Sequence, residues 1–450
     1  MANTGSICHA EDPYRDARNR QKTPSDVGVG PLASAASASV PGVGGQGRRG
    51  FPIFWFGQAI SQFGDEITLL ALPWLLAETT ASPLAVGALE AFAFLPVLVF
   101  GLLAGVVADR RSRRRSMLDA DIARFLLFAS VPIAAWLTDT TLIVHVLAVA
   151  FLAGTSRILF EAASQSFLPD LLHRGGVVKA NARLSTTEGV AIVVGPSVAG
   201  LLVTAFGAAT AVAVDSLTFL ASFVAIASLT GVKERLGRSG ASLTFDVREG
   251  IRAIRAQSII AASTVVNTCA NLASGMTAAM MVFFLQQTLG LSGFSAGLVI
   301  GANGIGVLLA GRFGRSAPRT LGFGRTIVVG HLVAALGVVV IASAAGSMAA
   351  VLAGVGLGLL GLGVVMTIVA SVSLRQMLIP GPMLGRVTAT YRTSLHGAMA
   401  VGALVGGLVG EFVGVRTALW TAGSLYLVVA ASSVFTSLNA ADPVGLSSAT

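Results

Sequence analysis

The chain has 450 residues, 54% of them hydrophobic and only 11% charged, with a mean hydropathy of +0.80. Soluble domains carry roughly a quarter Asp, Glu, Lys and Arg, so these figures argue against a water-soluble globule and against disorder over most of the length. The two cysteines, Cys8 and Cys269, exclude a disulfide scaffold and show no metal or redox spacing; the net charge of +9 must be placed before it can be read.

Crossing the hydrocarbon core takes about 20 mostly apolar residues as a helix. The chain offers twelve such runs, continuous rather than alternating, which points to helices and away from a barrel. Residues 1–50 mix charge with Gly, Ser, Ala and Pro and show no apolar period, so they read as a disordered cytoplasmic tail. Spans are predicted at 52–77, 84–108, 117–137, 140–162, 183–205 and 209–230. The first is not a cleaved signal sequence, because Asp65 and Glu66 lie inside it. A polar linker at 231–257 contains FDVREGIRAIRAQ, which predicts a short amphipathic helix on the inner membrane surface. Six more spans cover 258–286, 293–314, 325–344, 349–374, 384–409 and 415–438, and a second cytoplasmic tail covers 439–450.

With both termini inside, all of the 30 Lys and Arg except Arg416 fall on the inner side. That is a positive-inside pattern, so the basic balance reports topology and contact with membrane lipid, not nucleic acid. Arginine outnumbers lysine 27 to 3, as in high-GC bacterial genomes, and this places the chain in a bacterial inner (cell) membrane. Internal repeats set the architecture. The run LLAG occurs at 102–105 and 308–311, each time before a basic loop, and Gly195 and Gly200 recur as Gly402 and Gly407. The fold expected is an all-α polytopic membrane protein: two pseudo-symmetric six-helix halves, 51–230 and 258–438.

At this point the sequence resembles a family. GVVADRRSRRR, with Gly105, Asp109, Arg110, Arg113, Arg114 and Arg115, is similar to the loop after the second span of the major facilitator superfamily, although Ser112 replaces its glycine. SQFGD, FLPDLL, KANARL, VDSLTF and GRVTATYR extend the resemblance from Trp55 onward to the bacterial efflux branch with macrolide-efflux and enterobactin-exporter-type proteins. The resemblance implies a conformational latch: Asp109 holds the loop against the other half in one state, with Arg392 and the start of the eleventh span as its candidate partners. Asp109 as a mere counter-ion of its arginines is the plainer alternative.

The remaining candidates come from buried polarity, which is costly in a bilayer and usually functional. Gln58, Gln62 and Asp65 share one face of the first span at i, i+4, i+7, so this face should line a wet cavity. Asp65 reads as a proton-titrating or cation-contacting site, or as a structural hydrogen-bond anchor. Arg157, Glu161 and Glu188 read as an ion-pair cluster that changes partner with proton uptake, or as a satisfied network. Asn267, Asn271 and Ser274 form a stripe on the seventh span, serving a substrate pathway or interhelical hydrogen bonds. Glu90 and Asp215 read as gate residues or as water-facing. In the fifth span, Gly195, Pro196 and Gly200 form a kink motif that permits close helix approach.

No GxxxxGK[ST] loop is present, so an ion gradient is the energy source expected, with no cofactor and no enzymatic activity. The expected function is monomeric, proton-driven export of amphipathic small molecules by rocking of the two halves. The alternatives are a dedicated exporter of a siderophore or other metabolite, and a receptor or scaffold that no longer transports.

Overall fold

The computed structural model describes residues 46–138, 142–172, 176–229, 232, 243–313 and 316–440. Those residues are almost entirely helical, as a bilayer requires when every backbone N–H and C=O must be satisfied within its own segment. The first six helices are α1 (Gln46–Thr80), α2 (Pro83–Arg110), α3 (Arg113–Thr138), α4 (Ile143–Leu171), α5 (Val177–Phe206) and α6 (Ala208–Ala227). A short α7 (Leu243–Ala256) lies in the linker. The second set is α8 (Ser258–Phe283), α9 (Gly293–Phe313), the one-turn α10 (Ala317–Leu321), α11 (Phe323–Ser343), α12 (Ala349–Leu378), α13 (Gly381–Phe412) and α14 (Val415–Ser433). Ten of these are long and apolar enough to cross a membrane. The acid-bearing α1 and the 19-residue α14 pack among them and complete twelve.

Several helices outrun the apolar stretches that predict them. Helix α1 begins at Gln46 rather than 52, and α4 runs on to Leu171 rather than 162. At its polar end α4 carries an i, i+4 pair, Arg157 Nε to Glu161 Oε1 at 2.9 Å, and beyond the predicted span it is held by Asp170, which pairs with Arg113 of α3. The expected tails, apart from residues 46–50 and 439–440, lie outside the described residues. Helix α7 is amphipathic: Ile254 is buried, and Glu249 pairs with Arg386 of α13. Its Arg248, Arg252 and Arg255 are exposed.

The repeat read from the sequence is a repeat of contacts. In the first half α1 packs on α5 and α6, α3 on α4 and α6, and α2 on α4. In the second, α8 packs on α13 and α14, α11 on α12 and α14, and α9 on α12. The halves meet through α2 against α13 and α5 against α9, which are themselves equivalent pairs. Close approach at these seams depends on glycine. A Cβ on Gly200 would strike the carbonyl of Gly293, and one on Gly87 would meet Gly407. Glycine serves the same end within each half: a Cβ at Gly195 of α5 would meet the Glu66 side chain of α1, and one at Gly402 of α13 the Leu272 carbonyl of α8.

The two seams end in matching caps. Glu411 Oε2, on the last turn of α13, accepts from Ser82 Oγ at 2.7 Å and from the Leu84 N–H at 3.2 Å, at the start of α2. Thr204 Oγ1, on the last turn of α5, accepts the Phe294 N–H at 2.8 Å, at the start of α9. Each half therefore caps a helix of the other, satisfying an amide that has no partner within its own helix. From there close contacts at glycine continue along the seams to Val193 and Gly304 on one side and to Leu98 and Gly397 on the other. Toward the end that bears the basic loop, Arg157, Glu161, Glu188 and Arg392 are exposed.

Candidate functional site

A cavity of about 130 Å³ lies between α1, α2, α3 and α4. Its wall is largely apolar, including Leu72, Leu89, Phe128 and Ala153, but one charged residue comes from each helix: Asp65, Glu90, Arg124 and Arg157. Helical spacing puts Asp65 and Thr68 on the same face of α1, three residues apart, so both reach the cavity.

Arg124 is the centre of the charged network. Its guanidinium donates to Asp121 Oδ1 at 2.8 Å and lies 3.7 Å from Asp65 Oδ1. The Phe160 and Phe219 rings flank it, 4.8 and 4.2 Å from its Cζ, and only 3% of the residue is exposed. The other Asp121 oxygen accepts from Ser222 Oγ at 2.7 Å, and Gln58 Nε2 donates to that serine at 3.4 Å. Asp215 is fully buried and accepts from Thr68 and, at 3.0 Å, from Thr218. Charges this deep persist because each has a partner in place of water.

The structure brings some of the sequence candidates together and separates others. Gln58 and Asp65 sit on the Arg124 network, whereas the buried Gln62 Oε1 has no hydrogen-bond partner among the described residues. Arg157 pairs with Glu161 and is near enough to Asp65 and Glu66 to feel their charge. Glu188 is exposed on α5, facing the same region as Glu66. In the second half Asn267 Nδ2 donates to Ser371 Oγ on α12 at 3.1 Å, and Asn271 to the Asn267 carbonyl at 2.9 Å. Ser274 bonds Tyr426 of α14. Pro196, between Gly195 and Gly200, is buried at the α5–α9 seam. Asp215 is not water-facing but wholly enclosed, since α1 approaches it closely enough at Gly64 to leave no room for a Cβ.

Gly105, Asp109 and Arg110 lie in the last turns of α2, and their side chains fall outside those described. Arg113 also donates to the Ser166 carbonyl at 2.9 Å, and Arg114 to the Ile226 carbonyl at 3.1 Å and to that of Ala227. The basic loop is thus tied to the C-terminal ends of α4 and α6, where the helix dipole is negative. Arg392 is exposed on α13, its carbonyl 2.8 Å from Nδ1 of His396.

Sequence reasoning missed Asp121 and Arg124. The signal was there: opposite charges three residues apart inside the apolar run DADIARFLLF, spaced to satisfy each other on one helical face. Reading Arg124 as one more inner-side charge concealed it.

A family model described as a transmembrane secretion effector, MFS_3, matches residues 47–450. The multidrug efflux pump Tap of Mycobacterium tuberculosis is 30% identical over 179 residues, which is 39% of this chain and 42% of that pump. Macrolide efflux protein A of Streptococcus pyogenes is 26% identical over 207 residues, 46% of this chain and 51% of that protein. The chain therefore spans about half or less of the length of these relatives. Among solved structures, the nucleoside transporter NupG superposes with a TM-score of 0.71 at 12% identity, covering 86% of this chain and 98% of that one, a likeness of fold. With twelve helices in two repeated halves and a family match that runs from the first helix to the last residue, the chain belongs to the major facilitator superfamily, among its transmembrane secretion effectors.

Proposed function

We propose that the chain is a secondary active transporter of a bacterial cell membrane that exports amphipathic small molecules in exchange for protons, by alternating access. The basic end then faces the cytoplasm, where its arginines also meet anionic headgroups. The observation that carries this reading is Arg124 held between two carboxylates, one enclosed and one open to the cavity. Asp121 is fully buried and bonded by Ser222, whereas the Asp65 side chain is 33% exposed and faces the cavity. Two unit charges about as far apart as Arg124 and Asp65 attract by roughly 4 kcal/mol at an effective dielectric near 20, and by less where solvent screens them. A proton on Asp65 cancels that attraction and leaves Arg124 to Asp121 alone. Asp65 and Arg124 sit on α1 and α3, so this change loosens or tightens two helices of one half. The names of the efflux relatives support the same direction of traffic. The latch fits as a second element: Asp109 with Gly105, Arg110, Arg113 and Arg114 at one rim, Arg392 at the other.

The test is flux of a fluorescent amphipath in proteoliposomes under an imposed pH gradient. Gradient-driven flux should fall at least tenfold in Asp65→Asn, while Asp109→Asn should slow the cycle with the gradient dependence kept. Flux that ignores the gradient, or an Asp65→Asn variant that still responds to it fully, overturns the reading.

A further inference from the structure

We infer that the cavity between α1 and α4 is a binding site for the compact ammonium head of an amphipathic cation, with Glu90 as the residue that selects it. This rests on the export reading only for its consequence in transport; the binding itself stands on the cavity.

Glu90 projects from α2 into the cavity and is 8% exposed, yet among the described residues no hydrogen bond or ion pair reaches its carboxylate. Every other charge on the wall has a partner. Arg124 is held by Asp121 and Asp65, and Arg157 by Glu161. The lining residues and these partners set two guanidinium groups against four carboxylates, and Glu90 is the one that no guanidinium faces among the described residues. A buried carboxylate without a partner is costly, and the cost is recovered when a cation enters.

The rest of the wall says which kind of cation. Leu72, Leu89, Ala93, Ala150 and Ala153 give the wall apolar side chains that suit alkyl groups on nitrogen, and Phe128, stacked on Phe219, adds an aromatic ring. An aromatic ring and a carboxylate in one apolar wall are the elements that hold alkylated ammonium groups. The cavity, about 130 Å³, falls below the roughly 300–1,000 Å³ of pockets that enclose a whole drug-sized ligand. The tail of the ligand must therefore extend out of the cavity, and this is why an amphipath and not a small polar cation fits.

The probes are three hexyl amphiphiles that differ only in the head: hexyltrimethylammonium, hexyl glucoside and hexyl sulfate. Binding to the purified full-length protein in lipid nanodiscs is measured by calorimetry against empty discs, with no gradient present. The cation should bind at least tenfold more tightly than the other two. Glu90→Gln should abolish that preference, Glu90→Asp should keep it at lower affinity, and Phe128→Leu should weaken the cation several-fold while sparing the glucoside. Equal binding of the three heads, or a preference that survives in Glu90→Gln, overturns the assignment. Head selectivity together with gradient-independent flux in liposomes would remove the export reading and leave the site. Gradient-driven flux of all three heads alike would do the reverse.

Discussion

Arg124 shows how a charge survives at the level of a single residue. Its guanidinium is enclosed by two aromatic rings and two acids, bonded to Asp121 at 2.8 Å while Asp65 stays 3.7 Å away. Removing one partner of such a pair strands the other: with Arg124→Met, the fully buried Asp121 keeps only Ser222. Breaking a buried pair typically costs about 3–5 kcal/mol, whereas replacing both partners by neutral groups costs much less. Arg124→Met should therefore lower thermal stability in detergent sharply, and the double variant Asp121→Asn/Arg124→Met should recover at least about half of the loss. Equal losses in the single and the double variant would show that the rings, and not the acids, hold Arg124 in place.

Between elements, the caps at Glu411 and Thr204 occupy equivalent places but differ in chemistry. A hydroxyl that accepts one N–H makes a neutral cap, while Glu411 brings a full negative charge to the first turn of α2, where the helix dipole is positive. Caps of this type contribute about 0.5–2 kcal/mol. The α2–α13 seam should accordingly open first when Glu411→Ala removes its carboxylate. A cysteine placed at Leu72 in the cavity should then react faster with a membrane-impermeant thiol reagent applied from the side of Glu411, while Thr204→Val should change the rate less. Of this architecture, the apolar runs and the repeat at 102 and 308 were legible in the sequence, because bilayer helices are dictated by composition over long stretches. The caps were not, because a carboxylate at 411 and an amide at 84 declare no relation until two helices from different halves are packed. Asp65 was legible as a charge inside an apolar run. Its partner on α3 was not, since a pair three residues apart reads as self-sufficient.

Across the whole molecule the two halves share a frame but not its charges. At an offset of 206 or 207 residues, Asp65 corresponds to Asn271, Thr68 to Ser274, Arg124 to His331 and Phe219 to Tyr426. The contacts correspond as well. Thr68 bonds Asp215 on α6 as Ser274 bonds Tyr426 on α14, and Arg124 lies over Phe219 where the His331 ring lies 6.3 Å from Tyr426. The second half thus holds a copy of the network without its ion pairs, in which Asn271 bonds the Asn267 carbonyl and Ser274 bonds Tyr426. Such a copy has little to exchange with a proton gradient, so coupling should reside in the first half alone, and the second half should serve as the frame against which it moves. Moving the acid across tests this directly. In Asp65→Asn/Asn271→Asp the new carboxylate meets His331 in place of an arginine, and the first half has lost its cavity-facing partner. Flux in proteoliposomes should stay as insensitive to a pH gradient as in Asp65→Asn alone. Gradient-driven flux restored by the exchange would mean that the halves are equivalent in coupling, and that the position of the acid, not its arginine, is what matters.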